Sequence, residues 1–185
     1  MVPDVQARTT LEVDELLLRP WRAADAPALL EACQDPEIAR WVTIPQPYRP
    51  ADADAFIGGS RTMWRDGTGA PFAIVEATTD RLLGAVTLFG PEGHQATVGL
   101  WLVPGARGRG IGTRALRRLT DWTFETTSVF RLDCFITVGN EPSERMVERA
   151  GFQREGVLRG WDLRHDGVPV DCVAYSRLRT DPADH

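Results

Sequence analysis

Residues 103–113, VPGARGRGIGT, decide how the rest of the chain is read. Gly105, Gly108, Gly110 and Gly112 strip side chains from one short stretch, and Arg107 and Arg109 set guanidinium groups between them. Upstream, residues 97–103 (TVGLWLV) predict a strand. Downstream, Ile111, Ala115, Leu119 and Trp122 recur at helical spacing, with Arg114, Arg117, Arg118 and Asp121 elsewhere on the cylinder. Strand, glycine–arginine loop and helix start together make an anion site. Glycine lets backbone N–H groups approach a phosphate, and the N–H groups of a helix's first turn point at it. A flexible connection with solvated arginines has the same composition, so the motif needs its context.

The spacing narrows the ligand. A dinucleotide loop needs G-x-G-x-x-G, and Gly108, Gly110 and Gly112 do not supply it. A P-loop needs G-K-[ST], and all 21 Lys+Arg residues of this chain are arginine. The same lack of lysine excludes Schiff-base and pyridoxal-phosphate chemistry. What remains is R-x-x-G-x-G, Arg107 through Gly112, pointing to another nucleotide-bearing ligand.

At 185 residues, 43% hydrophobic and 25% charged, the chain fits one mixed α/β domain over 15–180, with a loose tail at 1–14 and another at 181–185. A net charge of −5 and a pI near 5.2 argue against a general nucleic-acid binder. Cys33, Cys134 and Cys172 lie far apart with no histidine at ligand spacing, so neither a disulfide frame nor a metal site is expected. The start, MVPDVQARTT, has no apolar h-region, and no run reaches membrane-span length. The expectation is a soluble, cytoplasmic protein without membrane or nucleic-acid partners, monomeric or homodimeric.

In chain order, a strand is expected at 15–21. A helix follows behind Asp25, and another behind Asp35-Pro36, carrying Ile38 and Trp41. A proline-rich crossing around Tyr48 leads to a helix at 52–64, closed by Asp66-Gly67. Strands follow at 72–77, 82–89 and 97–103, then the helix 111–126. The strand 131–138 alternates Leu132, Cys134, Ile136 and Val138 against Arg131, Asp133, Phe135 and Thr137. Pro142 opens a short helix to Arg149, with Gly151 placed to end it. A hairpin, 157–165 and 168–178 about Asp166-Gly167, closes the chain.

Asn140 begins N-E-P-S-E-R-M-V-E-R-A-G-F, one strand after the R-x-x-G-x-G helix. On its own this is a well-capped helix start. In that order the two motifs resemble those of the Gcn5-related N-acetyltransferases (GNAT), over roughly residues 14–180. Four pieces resemble the RimJ/RimL branch in particular: DPEIARW (35–41), VGLWLVPGARGRGIGT (98–113), NEPSERMVERAGFQREGVLR (140–159) and DCVAYSRL (171–178). The resemblance implies a twisted, mostly antiparallel mixed sheet flanked by helices, with a splayed strand pair that takes acetyl-CoA as co-substrate.

It also implies roles. Backbone amides from Arg107, Gly108, Arg109, Gly110, Ile111, Gly112 and Thr113 would hold the pyrophosphate. Leu102 and Val103 would pair with pantetheine, and an N–H near Leu102 would polarise the thioester carbonyl. Asn140 and Ser143 would face the pantetheine arm and the sulfur. Many members place a tyrosine on the second-motif helix to protonate the leaving thiolate. Here that position is Val147, and Ser143, one turn earlier, inherits the role; a helix-start hydroxyl also serves backbone alone.

The glutamate that many relatives carry before the phosphate loop is absent from 97–103. A two-residue loop at Asp166-Gly167 would set His165 opposite Val168, Leu163 opposite Val170 and Asp162 opposite Asp171. Facing carboxylates raise the pKa of one member, which suits a base that deprotonates an amine. Asp162 falls where the RimL-like pattern proposes such a base; a slipped register would leave both acids solvated. His94 is the other candidate base, and a water relay a further alternative.

Trp41, Tyr48, Trp64 and Asp171 are the expected acceptor-side residues. The predicted activity is acyl transfer to a primary amine, with a peptide or protein N-terminus first. A small amine (amino sugar, polyamine or antibiotic) and a CoA-binding regulatory domain are the alternatives.

Overall fold

A computed structural model describes residues 9–164 and 166–182. Eight strands form one sheet in the order β1-β2-β3-β4-β5-β6-β8-β7. In sequence they are β1 Leu11–Val13, β2 Leu16–Pro20, β3 Gly69–Glu76, β4 Leu82–Glu92, β5 Gln95–Leu102, β6 Arg131–Thr137, β7 Gln153–Leu163 and β8 Pro169–Leu178. Among the described residues only β5 and β6 pair in parallel; the other neighbours are antiparallel. The helices are α1 Ala26–Ala32, α2 Pro36–Trp41, α3 Pro50–Asp66, α4 Ile111–Thr126 and α5 Glu141–Arg149. Leu11–Val13 lies inside the stretch read as a tail; it pairs with β2 and buries Leu11.

Local chemistry sets the helix ends. Asp35 accepts from Glu37 N–H at the start of α2, with Pro36 in the first turn, where its missing N–H costs nothing. Asp52 accepts from Arg49 N–H at 2.7 Å at the start of α3, and Gly67, at φ 68°, closes that helix in a left-handed turn. Asn140 caps α5 through Ser143 N–H at 3.4 Å, and Gly151 follows at φ 86°.

The sheet is covered on both faces. Ile111, Ala115, Leu116, Leu119 and Trp122 of α4 pack with Val147 of α5 on Phe72, Ile74, Leu132, Ile136 and Tyr175. On the other face Trp21, Leu29, Cys33, Tyr48, Ala53 and Ile57 pack on Ala73, Val75 and Ala85. Each such large side chain contributes about 1.5–3 kcal/mol by leaving water. The helical cover lies over β2–β5 on the second face, so the part made by β6, β8 and β7 is more open. Trp161 is 54% exposed there.

Candidate active site

The sheet splits part-way along β5, before the glycine–arginine loop. β5 and β6 pair only at Gln95–Arg131, Ala96–Leu132 and Thr97–Asp133. Beyond that β5 stays with β4 and β6 with β8, so the strands diverge. Val103 N–H donates to Leu83 O at 3.0 Å. Antiparallel pairing alternates, so the backbone groups of Leu102, Leu100 and Val98 turn the other way, into the gap. Leu102 therefore presents an N–H to the gap, while its carbonyl accepts from Arg107 Nε at 3.1 Å. Val103 departs from expectation. Its N–H is spent on β4 and its carbonyl accepts from Ala106 N–H at 3.0 Å, so its backbone does not face the gap.

At the mouth of the gap the loop turns twice through positive φ, at Gly108 (72°) and Gly110 (73°), and Gly110 caps α4. Arg114 N–H bonds back to Gly110 O at 3.1 Å. The N–H groups of Ile111, Gly112 and Thr113 precede it and point out of the first turn, where a helix has no internal acceptor for them. Gly112 has a second reason to be glycine. A Cβ there would lie 2.5 Å from Met146 Sδ, so the Met146 side chain of α5 would have to move. Arg109 lies off the cleft and braces the loop, Nη1 to Gly105 O at 3.3 Å.

A cleft of about 1110 Å³ runs from this loop through the gap to α1, α2 and α3. Leu102, Arg107, Gly108, Gly110, Ile111, Gly112, Thr113, Asn140 and Ser143 line its end at the loop. Val147 lines it too, fully buried, with an aliphatic side chain that carries no proton to give. At the far end stand Trp41, Tyr48, Phe56, Phe89, Trp101 and Phe135. Trp41 Nε1 donates to Glu37 Oε2 at 3.0 Å, and the Arg40 guanidinium sits 4.5 Å from the Trp41 ring centroid. Glu37, Asp52 and Asp162 bring carboxylates to the same space.

Burial pushes the Cys33 thiol up to about 11, a contact with the Tyr48 hydroxyl opposing the shift. Burial, with the Asp133 charge beside it, pushes Cys134 up to about 12. Both line the cleft as thiols, not as the thiolates that act as nucleophiles.

Four further expected site features are corrected. Trp64 is buried among Phe72 and Trp122, its Nε1 bonded to Pro71 O at 3.0 Å, because α3 carries it to the core under α4. The closing hairpin is shifted by one residue. Arg164 N–H donates to Val168 O, so the connection is longer than a two-residue turn, and Asp162 faces Val170. The Asp162–Asp171 pair therefore does not form, and the expected facing of Leu163 and Val170 gives way to Leu163 and Pro169. His165 lies outside the described residues. Asp171 lies off the cleft; its Oδ1 accepts from Gly160 N–H at 2.8 Å where β7 bulges. Finally, His94 precedes β5 at the end remote from the loop. At about 3.3 Å per residue, the length of β5 separates them by roughly 26 Å.

Phe89, Trp101, Phe135, Glu37 and Asp52 escaped the sequence reading. Phe135 carried a signal: an aromatic on the polar side of an alternating strand. The others reach the cleft only through strand neighbours and helix placement.

The acetyltransferase (GNAT) domain family model matches residues 15–153. The chain belongs to this family. It is an acyltransferase that uses acetyl-CoA, and the diverging strands, glycine loop and free helix-start amides are what a CoA thioester requires. It is 26% identical to the uncharacterized N-acetyltransferase p20 of Bacillus licheniformis over 94% of this chain and 98% of that one. RimL, a ribosomal L7/L12 alpha-N-protein acetyltransferase solved with coenzyme A, shares its fold at TM-score 0.83 and 20% identity, covering 92% of this chain and 98% of RimL. So does the microcin C7 self immunity acetyltransferase MccE, solved with acetyl-CoA and AMP, at TM-score 0.82 and 24% identity, covering 90% and 93%. Among the described residues no helix is long and apolar enough to cross a membrane.

Proposed function

We propose that this acetyltransferase acylates the N-terminal amine of a polypeptide by direct transfer from acetyl-CoA. The observation that carries the reading is the shape of the acceptor end. The cleft opens onto a sheet face floored by Phe89, Trp101 and Phe135, and the Phe135 ring packs at a tilt against the exposed Trp161, centroids 4.9 Å apart. An amine on a long chain fits such a mouth, with the chain continuing over the open face. Glu37, Asp52 and Asp162 line the cleft as acidic residues that an ammonium could approach. The likeness of fold to RimL supports the same acceptor class.

In the proposed reaction the amine first loses a proton to Asp162, directly or through a water. Its lone pair attacks the thioester carbonyl while Leu102 N–H stabilises the oxygen as charge develops on it. The C–N bond forms, the C–S bond breaks, and as the nitrogen gives up its second proton the thiolate gains one, relayed through the Ser143 hydroxyl, which ends neutral. A cysteine relay is disfavoured, since Cys33 and Cys134 are both held as thiols.

A thiol-release assay tests the acceptor class with acetyl-CoA and short peptides of different N-terminal residues, alongside spermidine and an aminoglycoside. Turnover with a peptide, with mass spectrometry placing the acetyl group on the α-amine, is expected. Turnover confined to the small amines would move the enzyme to the second class. CoA binding with no turnover on any amine would overturn catalysis altogether.

A further inference from the structure

Asp35 holds two elements at once. Its Oδ1 caps α2 through Glu37 N–H at 3.1 Å, and its Oδ2 pairs with Arg107 Nη2 from the phosphate loop. Arg107 in turn donates through Nε to Leu102 O at 3.1 Å, at the edge of the gap. The Asp35 side chain is only 11% exposed. A single chain of polar contacts thus runs from the gap, through Arg107, to the first turn of α2. That helix is six residues long and presents Glu37, Ile38, Arg40 and Trp41 to the acceptor end of the cleft. A helix this short is marginal alone and depends on its cap and packing.

We infer that Asp35 is a positioning residue that couples donor binding to the acceptor wall. This rests on the reading of the loop as the CoA site. With Gly105, Gly108 and Gly110 around it, Arg107 sits on backbone of high intrinsic freedom. When the pyrophosphate fixes the amides of 108–113, it fixes Arg107 as well. An ordered guanidinium then steadies Asp35, and with it the start of α2 and the Trp41 side of the acceptor site. Arg107 is in this account a strut between the two halves of the cleft, not chiefly a phosphate ligand.

Hydrogen exchange with and without coenzyme A, on the full chain, tests the coupling. In the wild type, coenzyme A should slow exchange at 108–113 and also, by about two- to fivefold, at 36–42, the range one partly exposed ion pair carries. Asp35→Asn keeps a good capping side chain but loses the charge. It should retain the slowing at 108–113 and lose the slowing at 36–42. Arg107→Gln should lose the same α2 response, which guards against a folding defect peculiar to the first variant. A merely structural role for Asp35 would raise exchange in α2 equally with and without coenzyme A. That result, or an α2 response that survives in both variants or is missing from the wild type, overturns the inference while the CoA reading stands. No slowing at 108–113 in the wild type would overturn the CoA reading and this inference with it.

Discussion

Gly110 and Arg109 are neighbours with opposite consequences. Gly110 has open space around its Cα, with nothing within 4 Å of a built Cβ, so a side chain would not clash. What forbids one is φ at 73°, a conformation a β-branched residue avoids, and the first-turn amides of α4 depend on that turn. Gly110→Val is expected to bring CoA binding below detection by titration calorimetry. Arg109→Ala removes a brace to Gly105 O and should weaken binding only about two- to fivefold. The reverse order would mean that guanidinium charge, not backbone, holds the phosphates. Asp162 carries a second residue-level prediction. It lines the cleft and faces Val170, so its proposed role as base rests on position alone. Asp162→Asn should lower kcat/KM at least about 100-fold and flatten the acidic limb of the pH–rate profile. An unchanged profile would pass the role to water or to another cleft carboxylate, Glu37 or Asp52.

At the scale of elements, the open end of the sheet is tied by a charged clamp. Arg131 of β6 makes two bonds to Glu155 of β7, at 2.8 and 2.7 Å, and Ser176 of β8 donates to Glu155 at 2.6 Å. Arg131, then Ser176, hold the Glu155 carboxyl down at about 2, against an ordinary value of 4.5. A depressed folded-state pKa stabilises the fold above the unfolded value, and that stabilisation is lost as pH falls from about 4.5 through about 2. Glu155→Gln should therefore lower Tm at pH 7, and most of the difference from the wild type should be gone by pH 2. A gap that persists undiminished at pH 2 would show that the clamp acts by packing, not charge. Elements with strong local signals, α4, β6 and α5, were legible from periodicity and capping residues. The hairpin register was not: one more residue in the connection turned Asp162 away from Asp171. Strand order by itself cannot detect such a slip.

For the whole molecule, the divided sheet makes the donor site a feature of the folded state alone. Coenzyme A at 100 times its Kd should stabilise the fold by about 2.7 kcal/mol, a rise in Tm of roughly 5–10 °C for a domain of this size. Gly110→Val should show no such rise; an equal rise there would place the ligand outside the loop. The sequence by itself pointed to the proposed donor half, Val103 and Arg109 apart. Glycines, a helix start and a strand are local, contiguous features, and their physics is carried by backbone conformation within a dozen residues. Only the tertiary structure decided the acceptor half. Whether a tryptophan is wall or core depends on the face to which its helix delivers it: Trp41 reaches the cleft, while Trp64 goes under α4. The Asp35–Arg107 contact joins residues 72 apart in the chain. On the proposed reading VPGARGRGIGT encodes where the pyrophosphate of the donor is held; what the thioester meets is set by long-range packing that no local pattern records.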